Sequence, residues 1–218
     1  MISAKEALSF LREGNQRFVN NKPSVASASA AARRAGLVAG QSPFAIIIGC
    51  SDSRVPAELV FDQGFGDLFV IRVAGNVVAP IEIGSVEFAA SRYGTQLAVV
   101  LGHSKCGAIE ATLAEMLDGH ETEFQNLRSI VDLVKPSLEA MFATGAPADR
   151  KELMQAAVRA NVAASVAQLR HGSELVERFI REERLLVVGA EYSLESGIVT
   201  FLEGEAAEPE SPARVRWA

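Results

Sequence analysis

Two uninterrupted apolar runs constrain the fold more than any other feature of the sequence. They extend from Phe44 to Gly49 and from Leu97 to Gly102. Because neither run alternates between apolar and polar residues, we expect two strands that are buried on both faces, as is typical of parallel sheets. Ligands gather beyond the carboxyl ends of parallel strands. The residues that follow the two runs are therefore the first candidates for a functional site.

Strands and helices alternate along the rest of the chain. Further strands are predicted at 68–73, 185–188 and 197–202, and a short turn makes the last one antiparallel at the sheet edge. Helices are predicted at 3–20, 56–61, 83–93, 106–117 and 174–183, with a short one within 23–42 and a long helical region at 126–170 that is broken at Pro136 and at Gly145–Pro147. This order predicts an α/β fold: a mostly parallel four-stranded sheet with an antiparallel fifth edge strand, flanked by helices.

Composition excludes several classes of function. The 218 residues carry a formal net charge of −6, which argues against a general nucleic-acid binder. No apolar run approaches the ~20 residues needed to cross a bilayer, so no membrane partner is expected. The N-terminus does not resemble a signal peptide, and we expect a cytoplasmic protein. In that compartment a disulfide between the two cysteines is less expected than a metal site or catalysis.

Both cysteines lie directly after the apolar runs. Cys50-Ser51-Asp52-Ser53-Arg54 follows the first run, and His103-Ser104-Lys105-Cys106 follows the second. Two neighbouring strands that end at one sheet edge would bring together a set of two thiolates, an imidazole and a carboxylate. Such a set suits tetrahedral zinc, although cobalt or iron could occupy the same ligands. The sequence therefore predicts a zinc site formed by Cys50, Asp52, His103 and Cys106.

The role of Asp52 stays open at this point. Residues two apart on an extended backbone share a face, so Asp52 can point toward the same place as Cys50, with Arg54 one step further. If Asp52 is the fourth ligand, the site is closed and structural. If Arg54 holds the carboxylate in a bidentate pair, the fourth position is free for water or hydroxide. An ordinary surface ion pair between Asp52 and Arg54 is the third interpretation.

The two motifs, Cys50 to Val55 and Gly102 to Gly107, closely resemble the β-class carbonic anhydrases. The likeness continues through 61–64, 66–72, 74–76, 84–88 and 187–190, whereas 119–173 contains no diagnostic motif. The resemblance implies a lyase in which zinc-bound hydroxide hydrates carbon dioxide reversibly to bicarbonate and a proton. We accordingly expect residues 1–42 to form an N-terminal helical arm, 43–203 a single zinc-binding α/β domain, and 204–218 a loose tail.

Site residues follow from this resemblance, position by position. Cys50, His103 and Cys106 correspond to the zinc ligands, and Asp52 and Arg54 to a catalytic dyad in which the carboxylate accepts a hydrogen bond from the hydroxide. In a closed state, Asp52 would become the fourth ligand. The expected substrate-binding residues are Gln41, Val55, Phe69, Ala74, Phe88 and Gly107. Gln41 could equally be a polar loop residue, and most of the apolar members could simply belong to the core.

The resemblance also implies self-association. Members of the family form dimers and often tetramers through their N-terminal helices, with active sites near subunit boundaries. The helix at 3–20 could serve this purpose, or it could pack on its own core. One group of the family has a tryptophan at the position of Ile47, as part of an inhibitory bicarbonate site. Ile47 together with Gln41 favours the constitutively open branch, with water on zinc at neutral pH.

Three alternative functions remain compatible with the motifs. A related hydrolase could act on carbonyl sulfide or carbon disulfide, which are linear like carbon dioxide. A closed, non-catalytic zinc site could stabilise a binding or regulatory protein. A thiol enzyme could use Cys50 or Cys106 as nucleophile and His103 as base, and it would work without metal.

Overall fold

A computed structural model describes residues 2–24, 30–119 and 125–202. Within these residues the centre of the molecule is one five-stranded sheet. Its strands are β1 (Ala45–Gly49), β2 (Leu68–Arg72), β3 (Leu97–His103), β4 (Leu186–Tyr192) and β5 (Val199–Leu202). Their order in the sheet is β2-β1-β3-β4-β5; the first four are parallel, and β5 runs antiparallel to β4. The predicted fold class is confirmed. The predicted loose tail lies outside the described residues.

Helices cover both faces of the sheet. They are α1 (Ala4–Val19), α2 (Ala30–Gly36), α3 (Ala57–Val60), α4 (Pro80–Tyr93), α5 (Gly107–Asp118), α6 (Gln125–Ala143), α7 (Arg150–His171) and α8 (Glu174–Arg181), with a 3₁₀ turn at Ala74–Asn76. None of the helices in the described ranges is both long enough and apolar enough to cross a membrane.

The central strands are buried because both of their faces are covered. Every residue of β1 and β3 is buried. Since successive side chains on a strand point to opposite faces, Ile47 and Val99 pack with α1 and α3, whereas Ile46 and Val100 pack with α4, α7 and α8. The continuous apolar runs of the sequence correspond to these two strands, as predicted from their lack of alternation.

The predicted break at Pro136 is wrong. Helix α6 continues through Pro136 to Ala143, and the chain leaves the helix only before Gly145–Pro147. A proline removes one backbone hydrogen bond from a helix interior. Here Val134 and Leu138, which flank it, are fully buried, and packing of this apolar face maintains the helix across the lost bond.

Two strands extend further than their apolar runs indicate. β3 includes His103, and β4 reaches Tyr192 rather than ending at Val188. The ladder explains both extensions, because Gly102 pairs with Glu191 and His103 with Tyr192. His103 is thus the last residue of a central strand and is fully buried.

Helix α1 packs against the sheet of its own chain. A capping box begins the helix: the Glu6 N–H donates to Ser3 Oγ at 3.3 Å, and the Ser3 N–H donates to the Glu6 carboxylate. Ala7 and Leu11 are fully buried in the core that includes β1 and β3, whereas Phe18 is exposed. Asn15 donates to the carbonyl of Val60, which ties this helix to α3. The interpretation that α1 packs on its own core is therefore correct for this face.

Candidate metal centre

The carboxyl ends of β1 and β3 bring the two cysteines and the histidine together. Gly49 pairs with Leu101, so the two neighbouring strands end at the same edge of the sheet. The ligand atoms of Cys50, His103 and Cys106 all lie within 4.8 Å of one another, and all three residues are buried. Chain segments that are about fifty residues apart in sequence thus converge as predicted.

The two sulfur atoms are not joined in a disulfide. They lie 4.0 Å apart, whereas a disulfide bond is about 2.05 Å long. Four tetrahedral ligands with Zn–S distances of about 2.3 Å would place two sulfur atoms about 3.8 Å apart. The observed separation therefore fits a pair of zinc thiolates.

His103 is oriented as a metal ligand. Its Nδ1 lies 2.9 Å from the Ser104 carbonyl oxygen; since a carbonyl can only accept, Nδ1 carries the proton. Nε2 is then left with a free lone pair. In the described part of the chain this buried nitrogen has no hydrogen-bond partner, and it faces the two sulfur atoms. A buried acceptor without a donor is costly, and a bound cation would satisfy it.

Cys50 is the more acidic of the two thiols. A hydrogen bond from the Cys106 thiol, together with the backbone N–H groups of Asp52 and Gly75, lowers the pKa of Cys50, against the opposing effect of burial. The Cys50 thiolate and burial in turn raise the pKa of Cys106. The protein's own groups therefore stabilise one thiolate, and a bound divalent cation would supply the positive charge that a second buried thiolate requires.

Asp52 and Arg54 form a bidentate pair beside this cluster. Arg54 Nε donates to Asp52 Oδ1 at 2.9 Å and Nη2 donates to Oδ2 at 2.7 Å, while the Arg54 backbone N–H also donates to Oδ1. The hydrogen bonds from Arg54 hold the pKa of Asp52 well below its usual range. The carboxylate is therefore ionised at neutral pH, and both of its oxygens are oriented by the guanidinium.

Arg72 holds the backbone of the first motif, and sequence reasoning missed it. Its Nε donates to the carbonyl of Cys50 at 2.9 Å, and its Nη2 donates to the carbonyl of Asp52 at 2.6 Å. The signal was present, because Arg72 ends the apolar run of β2 and pairs in register with Gly49. A charged residue at the end of a buried parallel strand points to the same sheet edge as the ligands.

Glu195 supports the second motif, and no sequence signal pointed to it. Its carboxylate pairs with Lys105 at 2.8 Å and accepts from Ser104 Oγ at 2.8 Å, and these contacts lower the pKa of Glu195 to about 2. Lys105 has a left-handed backbone with a φ of 54°, and its carbonyl accepts from Arg54 Nη2 at 3.3 Å. Arg54 thereby links the two motifs.

Three of the predicted substrate residues are close to the cluster in sequence or structure. Val55 follows Arg54, but it is buried in the core below the sheet edge. Ala74 is half-buried and precedes Gly75, whose N–H donates to Cys50 Sγ at 3.3 Å. Gly107 is exposed and begins α5 directly after Cys106, so its N–H has no partner within the helix.

The other three predicted substrate residues lie elsewhere in the chain. Gln41 Nε2 donates to the Tyr93 hydroxyl at 3.0 Å, and the ring of Tyr93 contacts those of Phe69 and Phe88. Phe69 pairs with Ile46 on β1, three residues before the strand end. At about 3.3 Å per residue this is about 10 Å from that edge. One chain therefore gathers Gln41, Phe69 and Phe88 around Tyr93, away from the cysteines.

Known proteins match most of this chain. The profile of the carbonic anhydrase family matches residues 45–199. Carbonic anhydrase 2 of Mycobacterium tuberculosis is 42% identical over 187 residues, which cover 86% of this chain and 87% of the relative. The carbonic anhydrase of Mycolicibacterium smegmatis is 39% identical and covers 87% of this chain and 88% of its own length.

Solved structures of β-carbonic anhydrases have a fold similar to that of this chain. The Coccomyxa β-carbonic anhydrase in complex with acetazolamide has a TM-score of 0.71 and 26% identity, over 89% of this chain and 86% of that one. A tetrameric β-carbonic anhydrase of Sordaria macrospora has a TM-score of 0.70 and 26% identity, over 78% and 86%. With its sheet, its Cys-His-Cys cluster and these relatives, the chain belongs to the β-class carbonic anhydrases, which are carbonate dehydratases.

Proposed function

We propose that this chain hydrates carbon dioxide reversibly to bicarbonate and a proton, using zinc held by Cys50, His103 and Cys106. The observation that carries the proposal is the buried Nε2 of His103, which has no hydrogen-bond partner among the described residues; the ligand atoms of His103 and the two cysteines lie within 4.8 Å of one another. When bound, the metal supplies the Lewis acidity that makes hydroxide available as a nucleophile near neutral pH.

Asp52 orients that nucleophile. Because Asp52 is ionised, it can only accept a hydrogen bond, and this directs the remaining lone pair of the nucleophile toward the carbon of the substrate. Arg54 fixes the carboxylate through two parallel hydrogen bonds. The engagement of both Asp52 oxygens by Arg54 supports an open site, with the carboxylate held off the metal rather than acting as a fourth ligand.

Substrate contacts come from two sources in this proposal. The free N–H of Gly107 binds a bicarbonate oxygen, and Ala74 contributes apolar surface near the ligands. Val55 is buried and supports this edge from the core. Gln41, Phe69 and Phe88 contact substrate only across a subunit boundary, because within one chain they gather around Tyr93. The half-exposed ring of Phe88 leaves apolar surface for such a contact.

Self-association as a dimer or tetramer therefore belongs to the proposed function. The Sordaria macrospora relative is described as tetrameric, and exposed apolar side chains here include Val38, Phe65 and Phe88. A monomeric mass by light scattering, in protein with full activity, would contradict this part of the proposal. We also propose that the enzyme acts in the cytoplasm.

Carbon dioxide hydration measured by stopped flow, with zinc quantified in the same sample, tests the main proposal. We expect activity in proportion to bound zinc, loss of activity after chelation, and recovery when zinc is restored. Full activity after removal of the metal would contradict the proposal and favour a thiol enzyme. Faster turnover of carbonyl sulfide or carbon disulfide in the same assay would instead assign the site to a related hydrolase.

A further inference from the structure

Helix α7 packs directly against the strands that end at the metal centre. The absence of a side chain at Gly102 permits this close approach, because a Cβ at that position would lie 2.5 Å from Val162 Cγ2. Gly189 on the neighbouring strand is equally close, with a Cβ placed 2.8 Å from Val162 Cγ1. The residue before Val162 is Asn161, which is 2% exposed. The helix thus carries a buried amide to the end of β3.

Asn161 is connected to a cysteine ligand through a single backbone residue. Its Nδ2 donates to the carbonyl of Gly75 at 2.8 Å, and the N–H of Gly75 donates to Cys50 Sγ at 3.3 Å. Gly75 lies in the left-handed region with a φ of 73°, and a Cβ there would come within 3.1 Å of the Ala108 side chain. The direction of the Gly75 N–H therefore depends on a left-handed turn, and the carbonyl of the same residue accepts from Asn161.

Resting on the proposed zinc site, we propose that Asn161 is a positioning residue of the metal centre, which orients the Gly75 N–H toward the Cys50 sulfur. A backbone N–H that donates to a thiolate ligand stabilises its negative charge and fixes its lone pairs. Without the Asn161 amide, the Gly75 carbonyl would lose its buried donor, and the turn would be free to rotate.

Helix α7 lies in the region 119–173, in which the sequence contains no diagnostic motif. Helix α7 supplies a polar group to the metal centre, because Asn161 contacts Gly75 and Gly75 in turn contacts Cys50. Such supporting partners typically change metal affinity by about 10- to 100-fold when they are removed. Asn161 does not touch the proposed ligands themselves, so its removal should weaken the site without abolishing it.

Zinc affinity of the full-length protein, measured by competition with a chromogenic chelator, tests the inference in Asn161→Ala and Asn161→Leu. We expect dissociation constants raised by about 10- to 100-fold, as is typical for supporting partners. We also expect a shifted thiolate-to-metal charge-transfer band in the cobalt-substituted protein. Leu is a close match in size to Asn, but it has no group that could donate to the Gly75 carbonyl.

Asn15→Ala is the matched control. Asn15 is also a buried asparagine that donates to backbone carbonyls, those of Val60 and Gly197, but it does so on the α1 side of the sheet. We expect this variant to lose stability and to keep wild-type zinc affinity and an unshifted cobalt spectrum. If a variant is unfolded without metal, the zinc concentration at which it folds provides the same comparison.

The outcomes separate this inference from the proposed function. If wild-type protein fails to bind zinc, the proposed function is wrong. If wild-type protein binds zinc and both Asn161 variants bind it equally well with an unchanged cobalt spectrum, the positioning role is wrong and the proposed function stands. An equal loss of affinity in Asn15→Ala would also overturn the positioning role, because it would show an effect of stability alone.

Discussion

At the scale of single residues, side chains from several distant elements support the three candidate ligands. Cys50, His103 and Cys106 could be predicted because each lies at or just beyond the end of a buried run, and the register of β1 and β3 places those ends side by side. Arg72 and Asn161 contact the site from elements that are distant in sequence. The end of the apolar run of β2 was a signal for Arg72. Nothing in the sequence of α7 indicates that Asn161 reaches Gly75, so that contact could not be predicted.

Asp52→Asn isolates the role of the carboxylate. The amide keeps the size of the side chain. It cannot accept both hydrogen bonds from the Arg54 guanidinium, since its nitrogen is a donor. We expect the zinc content to remain unchanged and kcat to fall on the order of 10²-fold or more, the usual contribution of a positioned proton acceptor. Stopped-flow hydration and metal analysis of the same preparation provide both measurements.

Glu182→Gln is the control for this variant. Glu182 pairs with Arg184 at 3.2 Å, with the same two-residue spacing, on the exposed surface after α8. Its replacement should leave turnover unchanged. Wild-type turnover in Asp52→Asn would show that the assigned role of that carboxylate is wrong.

At the scale of elements, packing decides where local sequence preferences fail. Helix α6 continues through Pro136 because its apolar face is buried. Strands β3 and β4 extend beyond their apolar runs because they continue to pair with each other. Local propensity and periodicity predicted the type of almost every element. They could not predict the ends, since a ladder or a buried face is formed by residues far along the chain.

Gly14 determines how closely α1 approaches the chain after α3. A Cβ at this position would lie 1.8 Å from the backbone carbonyl oxygen of Phe61. Because a backbone atom cannot rotate away, Gly14→Ala must displace the helix. We expect the free energy of unfolding in urea to fall by about 1–3 kcal/mol or more, as in other overpacked sites.

Gly84→Ala provides the opposite expectation on α4. A Cβ at Gly84 meets no atom within 4 Å, and the residue is exposed in a helix. Alanine should therefore stabilise the protein by roughly 0.5–1 kcal/mol through helix propensity. If both variants were equally destabilised, the close approach at Gly14 would not explain the effect.

At the scale of the whole molecule, the sequence predicted the sheet but not how α4 lies across it. The parallel strands and the antiparallel edge followed from buried runs and a short turn, and both are present. The clustering of Gln41 and Phe88 around Tyr93 could not be predicted, because it depends on how α4 lies across β2. The proposed contacts across a subunit boundary could not be predicted either, because no pattern within one chain shows which surfaces meet.

Asp62 connects the N-terminal segment to the rest of the molecule and makes stability depend on pH. Burial raises the pKa of Asp62, but hydrogen bonds from Arg17 and the Ser24 backbone more than offset it, so the net pKa is lowered. Between the folded and unfolded pKa values the unfolded chain binds more protons, and stability rises with pH. The contribution of Asp62 is thus complete above about pH 4 and is lost as pH falls further.

Asp62→Asn tests this dependence without straining the backbone, because asparagine tolerates the left-handed φ of 47° found at this position. We expect the variant to be about 1–3 kcal/mol less stable near pH 7, the usual range for hydrogen bonds to a charged group. The difference from wild type should shrink as the pH is lowered below about 4. Urea denaturation at a series of pH values measures it, and a constant difference down to pH 3 would contradict the assignment.

The central position of β3 affects how the enzyme loses activity when it is heated or denatured. This strand pairs with β1 as far as Leu101 and with β4 as far as His103, so the backbone that carries the imidazole is restrained up to its last residue. Local openings in proteins usually begin where few bonds restrain the backbone. Heat or denaturant should therefore abolish turnover and secondary structure in one transition, with no inactive yet folded species in between.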